Sequence, residues 1–232
     1  MALMEQNPIK FAPRRQKVSY ATYLKIASES EIMEWKNGEV INYMPPLDRH
    51  QDIVRFLAAL LDGFIQVFKL GVIRFAPFEV KLWPDGPSRE PDILFVSQAN
   101  RAQLTEKRYE GGPDLMIEVI SPSSVAIDRV DKFREYEQAG VREYWLVDPR
   151  PHQQQAEFYV LGEDGLYYPG VIGEDGRYTS TIIPHFWLDV AWLRQPDLPN
   201  PQRVLAEIMI TVPDLSEELR GAYQTICRAL QE

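Results

Sequence analysis

GGPDLMIEVISPSS, residues 111–124, is the stretch on which the fold turns. From Asp114 to Ile120 it is apolar at Leu115, Met116, Ile117, Val119 and Ile120, on both faces of a pleat, and such a run belongs to a sheet covered on both sides. Glu118 sits inside it. A carboxylate buried without a partner is costly enough that it takes up a proton, finds a cation or binds a metal. Downstream, helical spacing runs from Arg129 to Ala139, with Asp128 as the expected N-cap and Gly140 as the stop, and a second apolar strand spans Glu143 to Val147. Strand, helix and strand in such close succession specify a βαβ unit with parallel strands and a right-handed crossover.

Upstream lies another strand, Asp92 to Val96, entered through Pro91-Asp92. Paired antiparallel with the strand at 114, it sets Asp92 near Glu118. Lys132, in the first or second turn of the helix and at the edge of its packed stripe, reaches back to the same strand end. Two carboxylates and an ammonium at the ends of sheet strands suit a hard cation such as Mg²⁺, with Mn²⁺ as the alternative. Such an ion acidifies water and neutralises charge on phosphorus, so the expected chemistry is phosphodiester hydrolysis. Each residue also has a plainer reading: Asp92 as a strand-entry turn, Lys132 as a helix lysine paired with Asp128, and Glu118 as the partner of an arginine such as Arg129.

Residues 1–18 read as a flexible basic arm around Lys10, Arg14, Arg15 and Lys17. Ser19 caps a short helix through Ala27, and EIMEWKNGEVINYM reads as a hairpin turning at Asn37-Gly38. Apolar residues recur at helical spacing from Arg49 to Lys69, with Gly71 as the stop, and Val72 to Leu82 reads as a strand. Beyond 147 the pattern is a meander: Gln155 to Leu161, Leu166 to Ile172 and Arg177 to Ile183. Its acidic Asp-Gly turns lack the spaced oxygen ligands of calcium loops. RQPDLPNPQ, 194–202, reads as a linker, followed by helices over Leu205 to Ile210 and Leu215 to Leu230; docking on the same core and a homodimer interface both remain open.

The charge balance is 25 basic against 34 acidic residues, net −9, which excludes a general affinity for polyanions and demands a local basic patch if nucleic acid is bound. The candidates are Arg101, Lys107 and Arg108, the arm, and Arg129 with Arg134. A single cysteine, Cys227, gives neither a disulfide framework nor a cysteine metal knuckle. No signal peptide and no membrane span are legible, so a cytoplasmic location is the default expectation.

Pro91-Asp92, PDLMIEVISPSS and DRVDKFREYEQAGVREYWLVDP, with NGEVINYMPP and RHQDIV upstream, resemble the Uma2-type putative restriction endonuclease family (DUF820), a branch of the PD-(D/E)XK nucleases. The resemblance covers roughly residues 20–195. It implies an α/β restriction-endonuclease-like core, a mixed central β-sheet flanked by helices, with an antiparallel extension and a C-terminal helical tail over 196–232. It further implies a metal-dependent endonuclease acting on nucleic acid, most of all DNA, with Asp92 and Glu118 as metal-binding acids and Lys132 as the catalytic lysine. Glu39 and His50 match family positions near the site, His50 as a base or phosphate contact. The wider superfamily carries its lysine two residues after the glutamate, where this chain has Ile120. Glu79-Val80-Lys81 spells the same motif but precedes Pro91-Asp92, the wrong order, and reads as an edge or flanking strand. A nuclease fold that binds nucleic acid or protein without cutting is the second expectation.

Overall fold

The computed structural model describes residues 13–27, 32–43 and 47–230. The chain begins with strand β1 (Arg14–Lys17) and helix α1 (Tyr20–Ile26), which Ser19 caps by accepting from the Thr22 amide. The hairpin of β2 (Met33–Lys36) and β3 (Glu39–Asn42) turns where the sequence predicts it, at Asn37-Gly38. There φ is +50° and +82°, a left-handed pair that asparagine and glycine tolerate. Helix α2 (Asp48–Phe68) follows, then β4 (Gly71–Phe75), β5 (Glu79–Lys81), β6 (Ser88–Arg89), β7 (Ile93–Ser97), β8 (Arg108–Glu110) and β9 (Leu115–Val119). A π-helical turn, Ile127–Lys132, runs directly into α3 (Phe133–Ala139), which stops at Gly140 in the left-handed conformation. The rest comprises β10 (Glu143–Asp148), β11 (Gln155–Leu161), β12 (Tyr167–Pro169), β13 (Arg177–Thr179), β14 (Trp187–Asp189), α4 (Pro201–Ile210) and α5 (Glu217–Ala229).

The central sheet has the order β12-β11-β10-β9-β7-β4, and within it β9 and β10 pair in parallel while the other neighbours are antiparallel. The βαβ unit is therefore the parallel centre of a mixed sheet. Alternation sorts its residues onto two covered faces. Ile93, Phe95, Leu115, Ile117 and Val119 meet Ile53, Leu57, Leu60 and Phe64 of α2, while Leu94, Met116 and Leu146 lie on the other face with Tyr136 of α3. Full burial of such side chains contributes about 1.5–3 kcal/mol each, which is why β9 is apolar on both faces. A second sheet, β1-β3-β2-β6-β5-β8, lies alongside, and β13 pairs with β14.

Several expectations are revised. Residues 1–12 of the basic arm lie outside the described residues, and its end is not loose, since Arg14–Lys17 pairs antiparallel with β3. The strand read over Val72 to Leu82 is two, β4 and β5, in different sheets, parted by Pro77, which has no N–H to continue a ladder. Asp128 is no N-cap: it is buried inside the π-helical turn. The last meander strand pairs with β14, touching the preceding stretch by one bridge, Ile172 to Tyr178. Glu79-Val80-Lys81 is β5, inside the second sheet between β6 and β8. The tail docks on the same core: Val204, Ile208 and Met209 of α4 are fully buried with the residues of α2, and α5 packs on α4. No helix among the described residues is long and apolar enough to cross a membrane.

Candidate active site

Where β7 begins and β9 ends, the antiparallel register pairs Ile93 with Ile117, and continuing it by one residue sets Asp92 against Glu118. Asp92 Oδ2 accepts from the Val119 amide at 2.7 Å, which fixes the carboxylate at the strand end. His50, in the first turn of α2, brings Nε2 to 3.2 Å from the same oxygen. Burial pulls the imidazolium's pKa down, but the hydrogen bond and charge of Asp92 outweigh it and raise the pKa above the usual histidine value. Its Nδ1 is buried without a hydrogen-bond partner among the described residues.

Lys132 reaches the strand end from the π-helical turn. Its Nζ lies 2.8 Å from Glu118 Oε1, 3.1 Å from Glu34 Oε1 and 3.2 Å from Asp128 Oδ1. The Asp128 contact is an ion pair without hydrogen-bond alignment, since Oδ1 has no hydrogen-bond partner among the described residues. The wider turn, at the start of the helix, buries Asp128 and Lys132 together and aims both inward. Burial lowers the ammonium's pKa, and the three carboxylates reverse that and hold it well above the ordinary lysine value. Tyr136, one turn on, donates to Glu118 Oε1 at 2.6 Å. Glu118 is thus answered by Lys132 and Tyr136, and Arg129 is engaged elsewhere, with Asp148 at 3.1 Å and Glu157 at 2.5 Å.

A small cavity of about 50 Å³ collects these groups, lined by Glu34, His50, Glu90, Asp92, Glu118 and Lys132 among others. Acidic groups outnumber cationic ones around this cavity. Burial, with the acids around it, pushes Glu118 well above the usual carboxylate range despite Lys132; burial likewise raises Asp128, and raises Glu90 to about 8. A site that holds more carboxylates than its one ammonium can balance is complementary to a cation. Among the described residues no group of three or more His, Cys, Asp or Glu side chains is arranged to hold a metal. Two carboxylates suffice for Mg²⁺, which keeps several waters. Asp92 and Glu118 fit that role, because the contacts they make fall on Oδ2 and Oε1.

Of the five residues expected at the site, the structure brings four together: Asp92, Glu118, Lys132 and His50. Glu39 is not among them. It stands at the start of β3, 3.6 Å from Arg15, on a surface shared with Lys36 and Asp131. The carboxylate that does reach the site from this hairpin is Glu34, fully buried on β2. It accepts from Tyr43 at 2.6 Å and from Arg89 at 2.7 Å, and Arg89 in turn holds Glu135 at 2.7 Å. Sequence reading missed Glu34, although its signal was the one that exposed Glu118: an acid between Met33 and Trp35 in a strand. Glu79 does not face the cavity; it accepts from Tyr20 and Ser88, each at 2.7 Å. Several expected phosphate contacts are already neutralised: Arg108 by Glu110 at 2.8 Å, Arg129 by Asp148 and Glu157, and Arg15 by Glu39.

A mixed α/β sheet with an acid pair at the ends of its central strands and a helix-borne lysine defines a restriction-endonuclease-like protein. The family model described as "Uma2: Putative restriction endonuclease" matches residues 20–191, and the chain belongs to that family. No curated protein matches it. Among solved structures it is similar to a putative nuclease belonging to DUF820 from Anabaena variabilis. That similarity has 16% identity and a TM-score of 0.60, and covers 74% of this chain and 94% of the other.

Proposed function

We propose that the chain is a divalent-metal-dependent endonuclease that hydrolyses nucleic-acid phosphodiesters, DNA foremost, with Asp92 and Glu118 as its metal-binding acids. The observation that carries this reading is the convergence of Asp92, Glu118 and a buried, charged Lys132 on one acid-rich cavity at the end of the central strands. A bound ion supplies charge neutralisation at phosphorus and acidifies the attacking water. The chain's own residues do the rest. His50 and the Val119 amide hold Asp92 by one oxygen, and Lys132 with Tyr136 holds Glu118 by one oxygen. Lys132, kept cationic, stabilises negative charge as it builds on the phosphate. His50 Nδ1, buried with no hydrogen-bond partner among the described residues, serves as a donor to a phosphate oxygen.

A second reading, a nuclease fold that binds without cutting, is favoured by one observation: Lys132 is held by three acids and Arg15, Arg108 and Arg129 are each paired with carboxylates. Incubation of the purified chain with plasmid, single-stranded DNA and RNA in Mg²⁺ or Mn²⁺ separates the two. Cleavage by wild type that Glu118→Ala abolishes supports the enzyme. Equal binding by both proteins with no cleavage supports the module.

A further inference from the structure

Beside the carboxylate cavity lies a larger one of about 370 Å³, and the two share His50 and Ser121 as wall residues. Volumes of about 300–1,000 Å³ accept small organic groups, whereas the carboxylate cavity has room only for an ion and water. The larger cavity's walls are mainly apolar: Leu47, Ile120, Pro122, Pro149, Pro151 and Pro196. Leu47, at 60% exposure, is an apolar side chain left uncovered at the rim.

Two arginines stand in the same wall. Arg150 is paired with Asp148 at 2.8 Å. Arg49 differs: its guanidinium donates to three backbone carbonyls, Pro196 O at 2.9 Å, Leu193 O at 3.1 Å and Gln195 O at 2.5 Å. No salt bridge joins it to a carboxylate among the described residues, in a protein of net charge −9. The carbonyls hold it fixed without neutralising it. It is next in sequence to His50, whose Nδ1 has no hydrogen-bond partner among the described residues.

From this we infer that the proline-lined cavity receives one unpaired nucleobase of the strand being cut, with the adjoining phosphate drawn to Arg49. The inference rests on the nuclease reading and deepens it by naming the substrate class, nucleic acid with a single-stranded or extruded nucleotide at the cleavage point. It also answers the charge objection. A duplex binder neutralises many phosphates with lysine and arginine, whereas a base buried against aliphatic and proline walls gains affinity from the apolar area it covers and needs few cations. The base of a paired nucleotide lies inside the stack and cannot enter a side pocket.

The test is binding of a thymidylate strand long enough to form a stable duplex with its complement, carrying one central 2-aminopurine, in EDTA so that no strand is cut. On wild type the emission of the base is expected to change, and the single strand is expected to bind about tenfold more tightly than the same strand in a duplex. An abasic centre, Leu47→Glu and Pro151→Glu should each weaken binding by about tenfold; both substitutions are at exposed positions, and a melting curve checks folding. Deoxyribose and ribose versions show which sugar is admitted: binding of either supports the inference and binding of neither overturns it. Equal affinity for duplex and single strand, or for the abasic and aminopurine strands, also overturns it. Metal-dependent cutting without strand preference would leave the nuclease reading standing and sink the pocket. Tight binding of the unpaired strand by a chain that never cuts would do the reverse.

Discussion

Lys132 Nζ lies 2.8 Å from Glu118 Oε1, although one residue is on a helical turn and the other on a strand. This contact places an ammonium against Glu118 from across the βα connection rather than from the strand itself. Ile120, the position two residues on, is buried in the apolar cluster with Met116 and Tyr136, so a lysine there would have to displace core packing.

Lys132→Met should cost both stability and cleavage. Removing the cation leaves Glu34, Glu118 and Asp128 together and buried, a change that typically costs about 3–5 kcal/mol. Urea unfolding should report that loss, and Lys132→Met with Asp128→Asn should lose less than Lys132→Met alone, since Asp128 has Lys132 as its cation and one orphaned acid is then gone. A double variant less stable than the single one contradicts the account.

Glu34 predicts an acid limb of stability. Burial would raise its carboxyl, yet Lys132 and Arg89 outweigh burial and hold it at about 2, below the ordinary 4.5. A carboxyl depressed by folding stabilises above its unfolded pKa and loses that contribution as pH falls through the folded one. About 3 kcal/mol should therefore be lost between roughly pH 4.5 and 2 in wild type, and this loss should be absent in Glu34→Gln. Glu39→Gln, at a partly exposed ion pair, should track wild type within about 0.5 kcal/mol and cut at the same rate.

His50 positions Asp92 through the contact at 3.2 Å. Groups that orient a metal ligand typically change metal affinity or activity by about 10–100-fold when removed, and His50→Ala should fall in that range. The loss should appear in the apparent Mn²⁺ requirement as well as the maximal rate. A variant with an unchanged Mn²⁺ requirement would remove His50 from the site.

The C-terminal segment should behave as part of the domain. Met209 is fully buried among residues of α2, and Met209→Ala should cost about 2–5 kcal/mol. Truncation after residue 195 should leave a chain without a cooperative melt; a sharp, unchanged transition would show α4 to be dispensable.

Much of the candidate site's geometry was legible because its parts are local in the sheet. An acid in an apolar strand, a Pro-Asp strand entry and a helix seven residues further on fix Asp92, Glu118 and Lys132 through pairing register and connection length alone. Glu34 escaped because it arrives from a hairpin 84 residues before Glu118, in the second sheet, and no local pattern encodes that approach. Asp128 was misplaced because an acid at the start of helical spacing looks like a cap, and a π-helical turn leaves the same trace in sequence as an α-helical one. Docking of α4 on α2 was open for a related reason: an amphipathic stripe shows that a face is covered without showing by what.

The central claim, that the carboxylate pair is a cation site, is tested most directly by Mn²⁺ titration calorimetry of the purified chain. The account expects one ion per wild-type chain, loss of binding in Asp92→Asn and Glu118→Gln, and retention in Glu39→Gln. No heat from wild type, or an isotherm unchanged in Asp92→Asn and Glu118→Gln, would contradict it and leave Glu118 as a buried salt-bridge residue.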